Sequence, residues 1–360
     1  MLLAACGGAQ SAPASAAPAS SSAPPASAAA KPASTSAAAP APASAAPASA
    51  ASAAAKPERD RIKIVYATAS GEDTFVELAA GKGFFQKYGL TADVQYAQST
   101  TAMASITAGE SQMALSDGIA AVDGIVSGTP YRVIAYFDKF SPYMIASLPE
   151  NPTFNDLKGK SVAVSKIGDT SDVSMRIGMK ASGLVPGKDF TVLQIGNSPA
   201  RWAALSSRQV AAAILDEDAY RKQVEAQGMH VLVSLHEQKL PYVASALVLT
   251  QDFARQNPNT VMAALRGLMD GVAYFADDKN RTEVMALMAK LLKMSPDQPE
   301  LAGIYEAYHS RAAVDPYPDK AGVDTILDAM RSADANRYGK LTSDQIIDSS
   351  FMDKLRAAKS

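Results

Sequence analysis

From about Arg59 onward the chain alternates short apolar runs with polar loops and amphipathic stretches. Residues 62–66 read Ile-Lys-Ile-Val-Tyr and predict a strand. A polar loop with Ser70, Gly71 and Thr74 follows. A helix carrying Phe75, Leu78, Ala79 and Phe85 comes next and ends at Gly89. Residues 90–94 predict a second strand. Ser99, Thr100 and Thr101 stand where a helix cap belongs, Met103 and Ile106 lie on that helix, and Gly109 stops it. Residues 112–115 predict a third strand, ending in Ser116, Asp117 and Gly118.

The same order then returns. Residues 161–164 predict a strand, followed by a loop with Gly168, Asp169, Thr170 and Ser171. A helix with Val173, Met175, Ile177 and Met179 ends at Gly183. Residues 190–193 predict a strand, and Asn197, Ser198 and Pro199 open a helix bearing Trp202, Ala203 and Leu205. Residues 210–215 predict the third strand, ending in Asp216, Glu217 and Asp218. Helices between strands imply right-handed crossovers and parallel sheets. The fold class is therefore α/β, with two lobes. In open parallel sheets ligands sit outside the carboxyl ends of the strands. Two such lobes facing each other make a ligand cleft lined by helix N-termini and short polar side chains. Each cap taken singly also serves helix stability alone.

Beyond the second copy the pattern becomes helical. Residues 259–275 carry Val261, Leu265, Leu268, Val272 and Phe275 on one face, and 283–292 and 321–330 predict two more helices. These are expected to pack on the first lobe. The chain is expected to cross between lobes near 133–138 and near 242–249, a pair of crossings that allows hinge motion. Lobe one then comprises 58–140 plus 240–360, and lobe two 141–239. Tyr136, Phe137, Phe140 and Tyr143, near the first crossing, either pack the hinge or stack on a ligand ring. Trp202 reads as core.

Composition narrows the classes. A net charge of −2 gives no basic excess for nucleic acid. No apolar run is long enough to span a bilayer as a helix. The one cysteine, Cys6, excludes an internal disulfide, and His230, His236 and His309 lack metal-ligand spacing. Neither a metal nor a cofactor is expected.

The N-terminal segment is of a different kind. Leu3-Ala4-Ala5-Cys6-Gly7 resembles a bacterial lipobox, in which the cysteine becomes lipid-modified after cleavage. Met1 to Ala5 are too few for the charged and apolar regions of a signal peptide, so the start is expected upstream or the leader trimmed. Residues 7–57 are almost wholly Ala, Ser and Pro and cannot bury enough apolar surface to order. They read as a disordered tether that reaches on the order of 150 Å when extended. A wall-spanning or glycosylated stalk has the same composition.

The body resembles the periplasmic solute-binding proteins of ABC importers, in the group of nitrate, sulfonate, taurine and thiamine-precursor binders. Ala79-Ala80-Gly81-Lys82-Gly83-Phe84-Phe85 with Tyr88-Gly89-Leu90 is similar to the group's AkekGlFekeGL. Ile106-Thr107-Ala108-Gly109-Glu110 leading to Ala114-Leu115-Ser116 is similar to aLasGeiDval. Phe154-Asn155-Asp156-Leu157-Lys158-Gly159-Lys160 with Val162-Ala163-Val164 is similar to DLkGKkvav. Gly183-Leu184 with Ala204-Leu205, and Asp348-Ser349-Ser350-Phe351, resemble further stretches of it. The likeness spans 62–355. It implies a type II periplasmic-binding-protein fold, a small-molecule ligand, an ABC permease as partner, a lipid anchor at Cys6 and a monomer outside the cytoplasm. A sensory receptor of the same build, or an enzyme like the pyrimidine-precursor synthases of this fold, are the rival readings.

Two departures stand out. Asp216-Glu217-Asp218-Ala219-Tyr220 lacks the proline of the group's acidic-aromatic turn, and the GeiD aspartate is replaced around Ser111-Gln112. By loop position the resemblance implies ligand contacts from Ser70, Gly71, Thr74, Thr100, Thr101, Ser116 and Asp117 in lobe one. From lobe two it implies Asp169, Thr170, Ser171, Asn197 and Asp216. Asp73, Asp117, Asp169, Asp216 and Glu217 outnumber Lys166 and Arg201 on these loops. That net-acidic rim opposes a small anion and favours a neutral, zwitterionic or cationic solute, such as an amine or heterocycle. The same acids also serve as helix caps that point to solvent.

Overall fold

The computed structural model describes residues 55–67 and 71–358. Cys6, the Ala/Ser/Pro segment up to residue 54, and Ser70 lie outside them.

The first half runs β1 (Arg61–Tyr66), α1 (Thr74–Gly81), β2 (Thr91–Tyr96), α2 (Ser99–Thr107), β3 (Met113–Ser116), α3 (Gly118–Val126) and β4 (Tyr131–Phe140). The chain then enters a second sheet through β5 (Tyr143–Ser147), β6 (Ser161–Val164), α4 (Thr170–Met179), β7 (Thr191–Gln194), α5 (Ser198–Ser206), β8 (Ala212–Asp216), α6 (Glu217–Ala226) and β9 (His230–Ser234). It returns along β10 (Pro241–Thr250) and closes with helices. These are α7 (Gln251–Gln256), α8 (Pro258–Phe275), α9 (Arg281–Leu292), α10 (Pro299–Arg311), α11 (Lys320–Ala333), α12 (Ala335–Tyr338), α13 (Ser343–Ile346) and α14 (Ser350–Ala357).

The sheets share one plan. The first has the order β2-β1-β3-β10-β4 and the second β7-β6-β8-β5-β9. In each, three strands from one repeat are parallel, β2-β1-β3 and β7-β6-β8. The two remaining strands are antiparallel. The expectation of parallel sheets thus holds for the repeats alone. β10 comes back from the other lobe and enters the first sheet from the opposite end, so it runs against β3 and β4.

Residues 133–138 and 242–249 are not the crossings. They pair with each other inside β4 and β10, with Leu247 opposite Ala135 and Val248 opposite Val133. The chain crosses later, at Ser141-Pro142, and earlier, at 235–240. Three register shifts along the β10–β4 pair add local twist near these crossings.

Packing follows the apolar faces. Pro258 starts α8 at a position that needs no N–H. Val261, Leu265, Leu268, Val272 and Phe275 are all buried along it. Gly271 lets α8 lie directly on α1, because a Cβ there would collide with the Phe75 carbonyl oxygen. Two tail helices do more than cover the first sheet. α11 packs on both β10 and α4, and α10 reaches α6. Val323, Ile326 and Leu327 of α11 therefore share one apolar cluster with Val173, Met175 and Ile177 of α4. The lobes are joined by this cluster as well as by two chain crossings.

Candidate functional site

The loops that follow β1, β3, β6 and β8 all leave the carboxyl ends of central strands. In the first lobe Gly71 takes φ +93°, and a side chain there would crowd the Met288 methyl at 2.9 Å. Thr74 is buried and donates from Oγ1 to the Gly71 carbonyl, 2.7 Å. Asp73, next to it, accepts from Ser245 Oγ on β10 at 3.1 Å. Gly71 and Thr74 thus close a turn on themselves.

α2 is not capped as its sequence predicts. Its N-cap is Gln98, which makes no side-chain cap bond. Ser99 is already helical, and its hydroxyl pairs sideways with buried Ser116 at 2.8 Å. Thr100 and Thr101 stay exposed on the first turn. Asp117 does cap α3, accepting from the Ala120 N–H at 2.9 Å.

In the second lobe Asp169 caps α4, accepting from the backbone N–H groups of Ser171 at 3.0 Å and Asp172 at 3.2 Å. Ser171 is buried, and its Oγ accepts from the Ser165 N–H at 2.7 Å. Thr170 is half-buried. Asn197 caps α5 through the Ala200 N–H at 3.1 Å and is otherwise exposed. Asp216 precedes α6, yet its carboxylate makes no cap bond.

Arg201 corrects the rim expected from sequence. It is 2% exposed, and its guanidinium turns inward. It donates to the Ile214 carbonyl at 2.5 Å, to Ser198 Oγ at 2.7 Å, and to the Gly196 carbonyl. A carbonyl of β8 and one of the β7–α5 loop consume it. Trp202 is partly buried against Tyr220, ring centroids 5.7 Å apart, rather than in the core. Tyr136 and Phe137 are buried, the latter against Phe75 at 4.8 Å; Phe140 meets His236 edge-on at 5.8 Å. Both serve hinge packing.

Two phenols stand where the lobes meet, Tyr143 at the start of β5 and Tyr242 at the start of β10. Burial and then Asp216 drive the Tyr143 phenol to hold its proton, against the pull of Arg201, with Asp169 and Asp117 adding smaller effects. Burial drives Tyr242 the same way, followed by Asp117 and Tyr143, with Ser174 opposing and Asp169 adding last. The loops of both lobes therefore converge on these rings. Tyr242 is 1% exposed, and its hydroxyl lies beside Ser174 of α4, whose hydrogen bond opposes the effect of burial. Beside them Ser141 of the first crossing bonds Ser174 of α4 at 3.0 Å, both buried.

A second cluster lies to one side, and sequence reading missed it. Arg311 at the end of α10 is buried and places Nε 3.2 Å from Asp138 of β4 and Nη2 3.0 Å from Asp218 of α6. It thereby joins one lobe to the other. Its guanidinium also lies 4.6 Å from the Tyr308 ring centroid. Burial pushes the Asp138 carboxyl up to about 6, against the opposing pull of Arg311. Glu72 is driven up by burial first, then by Asp138 and Asp73, and its Oε1 is enclosed without a hydrogen-bond partner. A cavity of about 20 Å³ lies between Glu72, Phe75, Phe137, Asp138, Tyr308 and Arg311, room for about one water. The one available signal was a charge inside an apolar strand, Asp138 within β4.

The histidines lie apart: His230 against the Pro149 carbonyl, His309 against the Ala276 carbonyl, His236 against Phe140. Among the described residues no three His, Cys, Asp or Glu side chains could hold a metal ion. No helix among them is long and apolar enough to cross a membrane.

Two repeated lobes of mixed α/β sheets, with loops meeting over a double crossing, define a periplasmic-binding-protein fold. The sulfonate-binding protein SsuA from Methylobacillus flagellatus superposes with a TM-score of 0.66 at 17% identity, covering 83% of this chain and 94% of that one. The nitrate-binding protein NrtA from Synechocystis gives 0.63 at 17%, covering 84% and 90%. The desulfurization enzyme DSZB gives 0.58 at 14%, covering 83% and 100%. Among curated protein sequences none matches the chain significantly. Over residues 72–281 it matches the family described as NMT1/THI5 like, and it belongs to that family.

Proposed function

We propose that this protein is the extracytoplasmic solute-binding component of an ABC importer. It captures a small organic molecule between its lobes and delivers it to the permease. What carries this reading is the convergence of loops from both lobes on Tyr143 and Tyr242, beside two chain crossings. Structural neighbours that are periplasmic sulfonate- and nitrate-binding proteins support it. In this reading a solute contacts both lobes and shifts an open–closed equilibrium toward closed, through contacts made only in the closed state. Cys6 is the lipidated anchor, and the Ala/Ser/Pro segment is the tether that holds the body near its permease.

Binding is tested by thermal shift on the purified protein against amines, amidines, sulfonates, nitrate and pyrimidines. A solute at about 100 times its dissociation constant adds roughly 2.7 kcal/mol, a rise of several degrees. Small-angle scattering on the same sample reads closure. A solute that binds without compacting the protein would remove the hinge from this account. Labelled fatty acid incorporated by the wild type and not by Cys6→Ser checks the anchor.

The DSZB neighbour keeps an enzymatic reading alive for the fold. Acid–base or nucleophilic chemistry needs a nucleophile and base within hydrogen-bond reach. Here carboxylates, phenols and caps line the meeting point, and the histidines lie elsewhere, which favours binding. A receptor that signals to a membrane partner uses the same closure; coexpression with the neighbouring membrane genes, scored by solute uptake, separates it from import.

A further inference from the structure

We propose that Arg311 is a latch between the lobes. The first lobe holds its guanidinium in place, Asp218 of the second lobe docks onto it, and the solute-free protein thereby favours the closed arrangement until that contact releases.

The two faces of the first sheet join the second lobe in different ways. Tyr136 of β4 and Ala246 of β10 turn to one apolar cluster, and Phe137 and Leu247, their neighbours in sequence, turn to another. The first cluster holds Val323, Ile326 and Leu327 of α11 and continues into α4 and the second sheet. Parting the lobes there would bring apolar side chains into water along the whole contact, which is unfavourable. The second cluster holds Leu301, Tyr305 and Tyr308 of α10. Among the described residues, none from 141–239 belongs to it. On this face α10 meets α6 of the second lobe, and Arg311 Nη2 donates to the Asp218 carboxylate at 3.0 Å. A rotation that keeps the apolar joint packed parts α10 from α6, and what it breaks is an ion pair.

The two halves of the latch are built differently. Arg311 is buried, with Nε 3.2 Å from Asp138, whose side chain is 4% exposed. The Tyr308 ring centroid lies 4.6 Å from the guanidinium carbon, and Glu72, Phe75 and Phe137 wall the small cavity beside it. All these groups belong to the first lobe, so the guanidinium keeps its place when the second lobe moves. The Asp218 side chain is 24% exposed and stands in the first turn of α6. Water takes over its carboxylate on release. Its neighbour Glu217 is engaged within the second lobe, accepting from Ser234 Oγ at 2.6 Å and lying 3.2 Å from Arg221 Nε. A preset cation meeting a partly wet anion is a contact that favours the docked form and still lets go, because the desolvation that makes a fully buried pair costly to break falls on one side only.

The latch itself stands on lobe geometry. Its consequence for transport rests on the solute-binding reading above: lobes already biased toward closure leave less of the conformational shift for a solute to supply.

Spin labels on Arg255→Cys of α7 and Val185→Cys of the second lobe, both exposed positions, test this in the full chain, with Cys6→Ser so that no other thiol is labelled. Double electron–electron resonance then reads the interlobe distance with no solute added. One short distance is expected to dominate. Asp218→Asn is expected to lower the ratio of short to long distances about 10-fold, as loss of a charge-assisted hydrogen bond implies, and Asp218→Glu to restore most of it. Arg311→Met combined with Asp138→Asn removes the guanidinium without stranding the β4 carboxylate, and is expected to match Asp218→Asn. Unchanged distances in Asp218→Asn overturn the latch, as does a long distance dominating in the parent protein. Asp218→Glu distances that follow Asp218→Asn also overturn it, since packing rather than charge would then hold α6. Each of these failures leaves solute binding intact, which the thermal shift reads separately.

Discussion

Carboxylates gather at two places between the lobes, and the two are served differently. Beside the hinge, Asp138 and Asp218 share the buried guanidinium of Arg311, with Glu72 behind them. Over the hinge, Asp117, Asp169 and Asp216 act on the phenols of Tyr143 and Tyr242, with Arg201 opposing them at Tyr143. The first cluster carries its counter-charge in the sequence, so it ties the lobes whether or not a solute is present. The second forms no ion pair among the described residues: Asp117 and Asp169 each cap a helix of their own lobe.

The largest effect is expected where the permanent cation is removed. Arg311→Met leaves Asp138 and Asp218 facing each other and Glu72 without its one nearby positive charge. Breaking a buried pair by removing one partner costs about 3–5 kcal/mol. Urea denaturation should show that loss, and Asp138→Asn placed in the same chain should restore part of it, because the orphaned charge is then gone. If Arg311→Met melts like the wild type, the two clusters are not different in kind.

Arg201→Leu should cost less, about 2–3 kcal/mol, since it removes charge-assisted hydrogen bonds to the Ile214 and Gly196 carbonyls and to Ser198. Its cost should appear in denaturation of the free protein, with solute affinity reduced only if the β8 end shifts.

The pH dependence sharpens the contrast further. The Asp138 carboxyl is pushed up to about 6 by burial, against about 3.9 in an unfolded chain. Between those values the folded protein holds a proton that the unfolded chain releases. The stabilisation is fully present below about pH 4 and is lost as pH rises through about 6. Glu72 and Asp117, also driven up chiefly by burial, act in the same direction. Asp138→Asn should therefore gain on the wild type as pH rises from 4 to 7, read as a shrinking or reversing difference in melting midpoint. A difference constant across that window would show that Asp138 titrates alike in both states.

Local pattern carried the repeats. Short apolar runs flanked by Asp117, Asp169 and Asn197 announce strand, cap and helix within a few residues, and these caps form as their spacing predicts. Ser99 shows where such reading fails: a serine one residue inside the helix looks like a cap, yet bonds Ser116 instead. Arg201 fails for another reason. A helical arginine ordinarily faces water, and only the folded approach of β8 and the β7–α5 loop supplies carbonyls that draw it inward. The Arg311 cluster was beyond reach, since its members come from β4, α6 and α10, and no local periodicity links them. The crossings were misplaced because β4 and β10 run on past the point where the sheet changes. An apolar run does not reveal which of its residues pair within one lobe.

The smallest effect is expected at a third interlobe tie. Lys180, just past the end of α4, and Asp328 of α11 approach to 3.0 Å, but their side chains are 71% and 51% exposed. Water screens such a pair, and holding two long side chains in one geometry costs entropy that offsets the attraction. Lys180→Ala should leave the denaturation midpoint within experimental scatter and leave closure by a solute unchanged in small-angle scattering. Raised salt should abolish whatever small difference exists. A clear loss of closure in Lys180→Ala would mean that surface charge helps hold the lobes together. The division of labour would then run among three sites, with Arg311 no longer the sole built-in latch.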